Sequence, residues 1–134
     1  MANVPVNRET VLEFHKGGKV GMRLVKPLKT QNDLCLAYTP GVAHAVKEIA
    51  AKPETVFDYT SKRSLVAVVS DGTAILGLGD LGAAASIPVM EGKAVLFKAF
   101  GDVDAWPVPV DHCRKDGKST GKTDPQRVID AVMA

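Results

Sequence analysis

Aromatic residues are scarce in this chain, and its charges are nearly balanced. Only 5% of the residues are aromatic, and 17 basic residues oppose 15 acidic ones, which gives a formal net charge of +2. Proteins that bind single-stranded nucleic acid stack bases on aromatic side chains along a basic groove, and nucleic-acid-binding domains in general cluster their basic residues. The composition therefore argues against nucleic acid as a partner.

Cysteine is also rare, and no long uninterrupted apolar run occurs. Cys35 and Cys113 are far apart and form no CxxC pair, so reduced thiols in a cytoplasmic protein are the simpler interpretation. The first ten residues lack the apolar core of a signal peptide. Charged residues interrupt every apolar run well before the ~18 residues that a membrane-spanning helix needs. We therefore expect a cytoplasmic chain without a membrane partner.

Patterns in the first half of the 134 residues predict alternating helices and strands. Asn7 is a suitable cap for a helix over residues 8–16, which two glycines would end. Residues 19–26 alternate loosely between charged and apolar, which predicts an edge strand. Pro40 after Thr39 predicts a helix start, because proline in the first helical position loses no hydrogen bond. The β-branched run over residues 65–69 predicts a buried strand.

The second half completes an α/β prediction. A helical period over residues 81–101 is interrupted by Pro88, which predicts two helices meeting there. Prolines within residues 103–110 predict an edge strand, residues 112–123 are polar and predict a loop or linker, and Asp124 is a suitable cap for a last helix. We predict a short, mostly parallel sheet flanked by helices, divided into an N-terminal arm (1–26), a central domain (27–111) and a linker with a terminal helix (112–134).

A glycine motif between the predicted strand and helix suggests nucleotide binding. Gly77, Gly79 and Gly82 stand in the sequence GLGDLG, which matches GxGxxG, the turn that places a pyrophosphate over a helix N-terminus. Asp80 would then face the phosphate, and the acids about 20 residues later follow a helix rather than a second parallel strand. We therefore interpret the stretch as a tight turn, and not as part of a complete dinucleotide-binding fold.

Two side chains are candidates for acid–base chemistry from their surroundings alone. Lys93 is flanked by apolar residues on both sides, so partial burial would lower its pKa and suit it to act as a base. Tyr38 stands just before a predicted helix start, where its hydroxyl could reach a ligand as an acid. The alternatives are a solvated helix lysine and a half-buried tyrosine with a satisfied hydroxyl.

Several short motifs occur in one order, and together they resemble the N-terminal domain of malic enzyme in its shorter bacterial form. The resemblance covers roughly residues 20–112 and rests on YTPGVA (38–43), DYTSK (58–62), VVSDGT (68–73), GLGDLG (77–82) and PVMEGK (88–93). Any one of these motifs alone would be weak, but their shared order is specific.

The resemblance implies oxidative decarboxylation of malate to pyruvate and CO2. It implies that Lys93 is the general base at the C2 hydroxyl and Tyr38 the general acid at C3. It also places the substrate near the glycine turn, with Gly72, Thr73, Gly79 and Asp80 as the candidate binding residues. NAD or NADP and Mg2+ or Mn2+ would serve the full-length enzyme.

This chain departs from the family pattern in two ways. Larger, eukaryotic-type members carry a substrate-contacting arginine where this chain has Ala74, so recognition of the substrate carboxylate must differ. The sequence also stops at Ala134, before the family's acidic metal-binding segment and its nucleotide-binding domain. We therefore expect no metal site and no cofactor site in this chain, and no activity from it alone.

The resemblance further implies a homodimer, with the helix over residues 8–16 as an exchanged element, and association with the missing C-terminal part. The alternative is a dimerisation or regulatory module that reuses the fold without catalysis; the presence of both Tyr38 and Lys93 favours the catalytic interpretation. A small dinucleotide-binding protein is a third hypothesis, and it predicts NAD(P) binding by this chain in isolation.

Overall fold

The computed structural model describes residues 6–111, 114–115, 118–119 and 124–133. Short 3-10 turns at Pro53–Thr55 and Ser61–Arg63 supplement the regular elements. In chain order the helices and strands are α1 (Arg8–His15), α2 (Gln31–Ala37), α3 (Val42–Ala51), α4 (Val56–Tyr59), β1 (Leu65–Ser70), α5 (Ala83–Gly101), β2 (Asp104–Pro109), β3 (Arg114–Lys115), β4 (Lys118–Ser119) and α6 (Pro125–Met133).

The chain forms two compact units. One contains the residues up to Val20 and those from Val66 onward, and the other is Gly21–Leu65. In the first unit, β1 and β2 pair in parallel and α5 forms the connection between them. The amide of Val110 continues the pairing by donating to the carbonyl of Ser70 at 2.9 Å. This β–α–β arrangement confirms the predicted α/β class and its short parallel sheet.

The buried centre of the first unit lies along one side of α5. Ser86, Met90 and Ala94 recur at four-residue spacing, which places them on one helix face, and all three are buried. The Ser86 hydroxyl is satisfied by donating to the carbonyl of Ala83 at 2.6 Å, and α5 packs against β2. The contact with β2 therefore holds α5 against the sheet.

The second unit is helical. α2 is capped by Thr30, whose hydroxyl accepts the amide of Asp33, and it leads through Tyr38 into α3. After α3, the turn at Pro53–Thr55 continues into α4.

Three local predictions were wrong. Residues 19–26 form no strand, and the amide of Lys19 donates to a side chain, Glu91 Oε2, instead of to a neighbouring strand. α5 is one helix through Pro88, because a proline removes only its own amide hydrogen bond while the buried face on both sides stays continuous. α3 begins at Val42 rather than at Pro40, because the amides of Tyr38 and Gly41 still donate to carbonyls of α2.

The other cap predictions hold. Asn7 Oδ1 accepts the amide of Thr10 at 3.0 Å, and Thr10 Oγ1 accepts the amide of Asn7 in return, so α1 begins as predicted. α6 begins at Pro125, with Asp124 Oδ1 accepting the amide of Gln126. The predicted polar linker, 112–123, lies mostly outside the described residues; its described part is the antiparallel β3–β4 pair.

Candidate active site

Lys93 lies in the middle of α5, and its side chain is exposed. Helical spacing places Val89, Leu96 and Phe97 beside it, and these apolar side chains are also exposed. The expected partial burial of Lys93 was therefore wrong for this chain, because its apolar neighbours lie on an open stripe instead of covering it. We call Val89, Lys93, Leu96 and Phe97 the lysine stripe.

Tyr38 ends α2 and precedes α3. Its amide donates to the carbonyl of Leu34 at 2.9 Å, and its carbonyl accepts the amide of Val42 at 2.7 Å. The backbone of Tyr38 is thereby fixed between two helices, while 67% of the residue remains exposed. This arrangement leaves the phenol accessible from solvent on a fixed main chain.

Tyr38 and Lys93 belong to different compact units: Tyr38 lies in the helical unit and Lys93 in the unit that contains the sheet. Each residue is presented by a regular helix or a helix junction rather than by a long loop. The assignment of Tyr38 as acid and Lys93 as base rests on the sequence motifs, and it stays a prediction.

The glycine-rich stretch after β1 folds into a closed loop. Ile75 and Gly79 exchange two main-chain hydrogen bonds of 2.9 Å, and the amide of Leu78 also donates to the carbonyl of Ile75. The carbonyl of Gly72 accepts the amides of Leu81 and Gly82. We call residues 71–82 the glycine loop; it leads directly into α5.

The glycine loop does not fit a pyrophosphate. A dinucleotide site of the GxGxxG type presents free main-chain amides to the phosphates. Here the amides of Leu78, Gly79, Leu81 and Gly82 are all used within the loop. The interpretation of GLGDLG as a tight turn is therefore supported by the structure.

The four candidate substrate-binding residues all lie in the glycine loop. The amide and hydroxyl of Thr73 both donate to Asp71 Oδ1, at 3.0 and 2.7 Å, and the amide of Gly72 donates to Ser70 Oγ at 3.1 Å. Gly79 is held by Ile75, and Asp80 is exposed. The loop thus brings Gly72, Thr73, Gly79 and Asp80 together; substrate binding by them stays a prediction.

The described residues do not provide a metal centre: among them, no three histidine, cysteine, aspartate or glutamate side chains are grouped as metal ligands would be. Nor does any helix in the described part of the chain have the length and apolar character to cross a membrane.

A comparison with known families identifies the chain. The family described as "Malic enzyme, N-terminal domain" matches residues 17–128, which is most of the sequence and includes the glycine loop, Tyr38 and Lys93. The chain belongs to the malic enzyme family. The resemblance drawn from the five motifs is thereby confirmed.

Curated malic enzymes are similar at high identity. The NADP-dependent malic enzyme of Rhizobium meliloti is 56% identical over 113 residues, which are 82% of this chain and 15% of that protein. The NAD-dependent malic enzyme of Geobacillus stearothermophilus is 53% identical over 108 residues, which are 81% of this chain and 22% of that protein. This malic enzyme domain therefore spans about a fifth of the length of these curated relatives.

Solved structures of malic enzymes share the fold. The malic enzyme of Pyrococcus horikoshii superposes with a TM-score of 0.83 at 49% identity, over 93% of this chain and 28% of that one. The NAD-dependent malic enzyme of Thermotoga maritima gives a TM-score of 0.79 at 41% identity, over 96% of this chain and 33% of that one. The malic enzyme fold seen here is thus the same in archaeal and bacterial relatives.

One cluster on α5 was missed by the sequence analysis. Lys19, which follows the end of α1, contacts Pro88 and Glu91 on α5, and its ammonium also lies 3.0 Å from His15 Nε2. Residues that are about 70 positions apart, as Lys19 and Glu91 are, carry no spacing signal in the sequence. The only hint in the malic enzyme sequence is the pair Gly17–Gly18, which lets the chain turn sharply before Lys19.

Proposed function

We propose that this chain is the N-terminal, catalytic part of an NAD(P)-dependent malic enzyme, which oxidatively decarboxylates malate to pyruvate and CO2. The observation that carries the proposal is the match to the family over residues 17–128 with both Tyr38 and Lys93 in their motifs. Because the relatives similar to this chain are named for NADP in one case and NAD in another, the proposal leaves the choice of nucleotide open.

Lys93 is proposed as the general base. Its neutral amine takes the proton from the C2 hydroxyl of malate as hydride leaves C2. A lysine base must be neutral, and an ammonium loses its proton more readily when it is desolvated. Since Lys93 is exposed in this chain, the complete enzyme has to cover the lysine stripe, and the exposed Val89, Leu96 and Phe97 would form an apolar contact for that cover.

Tyr38 is proposed as the general acid. After CO2 is lost, its phenol gives a proton to C3 of the enol form of pyruvate. Two hydrogen bonds fix the main chain of Tyr38 between α2 and α3, and this fixed position supports the role because proton transfer needs a donor held within hydrogen-bond reach. The exposed phenol is accessible to a substrate from outside the helical unit.

The glycine loop is proposed to border the malate site. Its hydrogen bonds hold Thr73 and Asp80 on a fixed backbone ahead of α5, while Gly72 and Gly79 shape the loop. Oxidation of C2 requires a hydride acceptor, and the family uses a divalent cation. The proposal assigns no residue of this chain to nucleotide or metal.

The proposal is tested in the complete enzyme that contains this chain, or by mixing the chain with the separately expressed remainder. Malate-dependent formation of NAD(P)H and pyruvate is assayed with Mn2+ or Mg2+. Lys93→Ala and Tyr38→Phe should each lower kcat by about 10²–10⁴-fold, the range usual for loss of a general acid or base. Full activity in Lys93→Ala would overturn the assignment of the base.

Matched variants separate chemistry from general damage. Lys47→Ala removes an exposed lysine of α3, and Tyr59→Phe changes the other tyrosine, which is also exposed. Both should keep kcat within about twofold, since surface changes of this kind rarely disturb a fold. A similar loss in all four variants would favour the alternative of a non-catalytic module with this fold.

A homodimer is part of the same proposal. The N-terminal helix α1 carries exposed Leu12 and Phe14, the latter 74% exposed, and apolar side chains of this kind suit an interface between copies. Light scattering should give twice the mass of one chain, and Leu12→Asp should shift it toward one. A monomeric wild-type enzyme would contradict this part. A cytoplasmic location stays a prediction from the sequence.

A further inference from the structure

A cluster of four residues joins the end of α1 to the first half of α5. The amide of Lys19 donates to Glu91 Oε2 at 3.1 Å. Its ammonium donates to the carbonyl of Pro88 at 2.6 Å and lies 3.0 Å from His15 Nε2. We call His15, Lys19, Pro88 and Glu91 the Lys19 clamp. It joins residues 72 positions apart in the sequence within one compact unit.

The hydrogen bonds of His15 define which of its ring nitrogens carries the proton. His15 Nδ1 lies 2.8 Å from the carbonyl of Val11, and a carbonyl can only accept, so Nδ1 carries the proton. In a neutral imidazole the other nitrogen is then an acceptor. His15 Nε2 therefore accepts from the ammonium of Lys19.

Gly18 shows how closely the two segments approach. A Cβ at this position would lie 2.9 Å from Glu91 Oε1, and the backbone φ is +80°, a conformation that L-residues with side chains rarely adopt. The backbone before Lys19 thus turns directly against the Glu91 carboxylate. This contact is independent of the lysine side chain.

The clamp contacts α5 on a different face from the buried one. Pro88 and Glu91 are three residues apart and share a helix face, whereas the buried face runs through Ser86, Met90 and Ala94. At about 100° per residue, Glu91 lies roughly 200° around the helix from Lys93. The clamp therefore does not touch Lys93, but it fixes the turns of the helix that present it.

The Lys19 clamp contacts α5 at the turn that Pro88 weakens. Pro88 has no amide to donate to the carbonyl four residues earlier, so the helix is weaker at this turn. The Lys19 ammonium binds the carbonyl of the same proline, and the Lys19 amide binds the side chain one turn later. Resting on the proposed function of Lys93, we propose that Lys19 is a positioning residue: it sets where α5 presents the general base.

The geometry is tested first in this chain, by amide hydrogen exchange and NMR, without any activity assay. Glu91→Ala should speed exchange of the Lys19 amide at least tenfold, and Glu91→Gln, which keeps an acceptor oxygen, should restore most of the protection. Equal exchange in wild type and Glu91→Ala would show that the clamp does not form in solution and would overturn the proposal.

The role is then tested in the complete enzyme. Lys19→Met should lower kcat about tenfold with less than a twofold change in KM for malate, because binding is kept while the base is misplaced. Lys16→Met is the matched control, since Lys16 pairs only locally with Glu13 among the described ion pairs, and it should leave kcat unchanged. An unchanged kcat in Lys19→Met, or equal changes in kcat and KM, would overturn the proposal.

The outcomes separate this proposal from the proposed function. If Lys93→Ala keeps full activity, Lys93 is not the base and the clamp has no base to position. If Lys93→Ala is inactive while Lys19→Met keeps the wild-type kcat, the proposed function stands and the positioning role alone is wrong.

Discussion

Thr30 and Asp33 cap helix α2 reciprocally. Thr30 Oγ1 accepts the amide of Asp33 at 3.1 Å, and Asp33 Oδ2 accepts the amide of Thr30 at 2.9 Å and that of Lys29 at 3.0 Å. These bonds satisfy amides that a helix start leaves without an internal partner. Because α2 ends at Tyr38, this cap also supports the segment that carries the proposed general acid.

The cap predicts an acid-sensitive helix. Hydrogen bonds from the amide of Lys29, and then from Thr30, hold the pKa of Asp33 below its ordinary value. A carboxyl with a lowered folded-state pKa stabilises the fold above its unfolded-state pKa, near pH 4, and this contribution is lost as the pH falls through the folded-state value. Asp33→Asn should therefore lower the free energy of unfolding at pH 7 and lose less stability below pH 4 than the wild type.

Urea unfolding followed by circular dichroism at several pH values measures this difference. Asp111→Asn is the control, because Asp111 is exposed and lies outside any helix cap; it should follow the wild type across the pH range. If Asp33→Asn and wild type differ by a constant amount from pH 7 down to pH 2, the carboxylate does not contribute through its ionisation, and the prediction is wrong.

Local signals predicted two of the helix starts and the sheet. Asn7 and Asp124 were identified as caps from residue type and position, and both act as caps. The strand over residues 65–69 and the later strand with prolines correspond to β1 and β2. These features depend on hydrogen bonds within a few residues or on the composition of one short run, so a single sequence contains the information.

Features that depend on distant partners were not predictable in the same way. The segment 19–26 has a strand pattern, but the amide of Lys19 binds Glu91 instead. Pro88 signals a break, yet the packing of Met90 and Ala94 keeps α5 as one helix. The apolar flanks of Lys93 suggested burial, but a pattern of apolar residues cannot say whether this chain itself covers them.

Gly72 is predicted to be intolerant of any side chain. A Cβ there would lie 2.0 Å from the carbonyl oxygen of Gly82, and the backbone φ is +69°. Both the contact with backbone and the left-handed conformation oppose an L-residue. Gly72→Ala should lower the free energy of unfolding by at least about 2–3 kcal/mol, measured by urea denaturation.

Gly77 is the matched control within the same loop. Its φ is +76°, but a Cβ would meet nothing within 4 Å, so Gly77→Ala should cost only the conformational part, about 1–2 kcal/mol. A Gly72→Ala loss no larger than the Gly77→Ala loss would mean that the glycine loop can move away from Gly82, contrary to the closed loop described here.

Met90 should contribute most of the contact between α5 and the sheet. Only 2% of the residue is exposed, and the Ser86 hydroxyl approaches its sulfur at 3.9 Å. Met90→Ala removes apolar volume from a filled site and should lower the free energy of unfolding by about 2–5 kcal/mol. Val89→Ala, which shortens an exposed neighbour on the same helix, should change it by no more than about 0.5 kcal/mol. Equal losses in the two variants would show that α5 is not packed through the Met90 face.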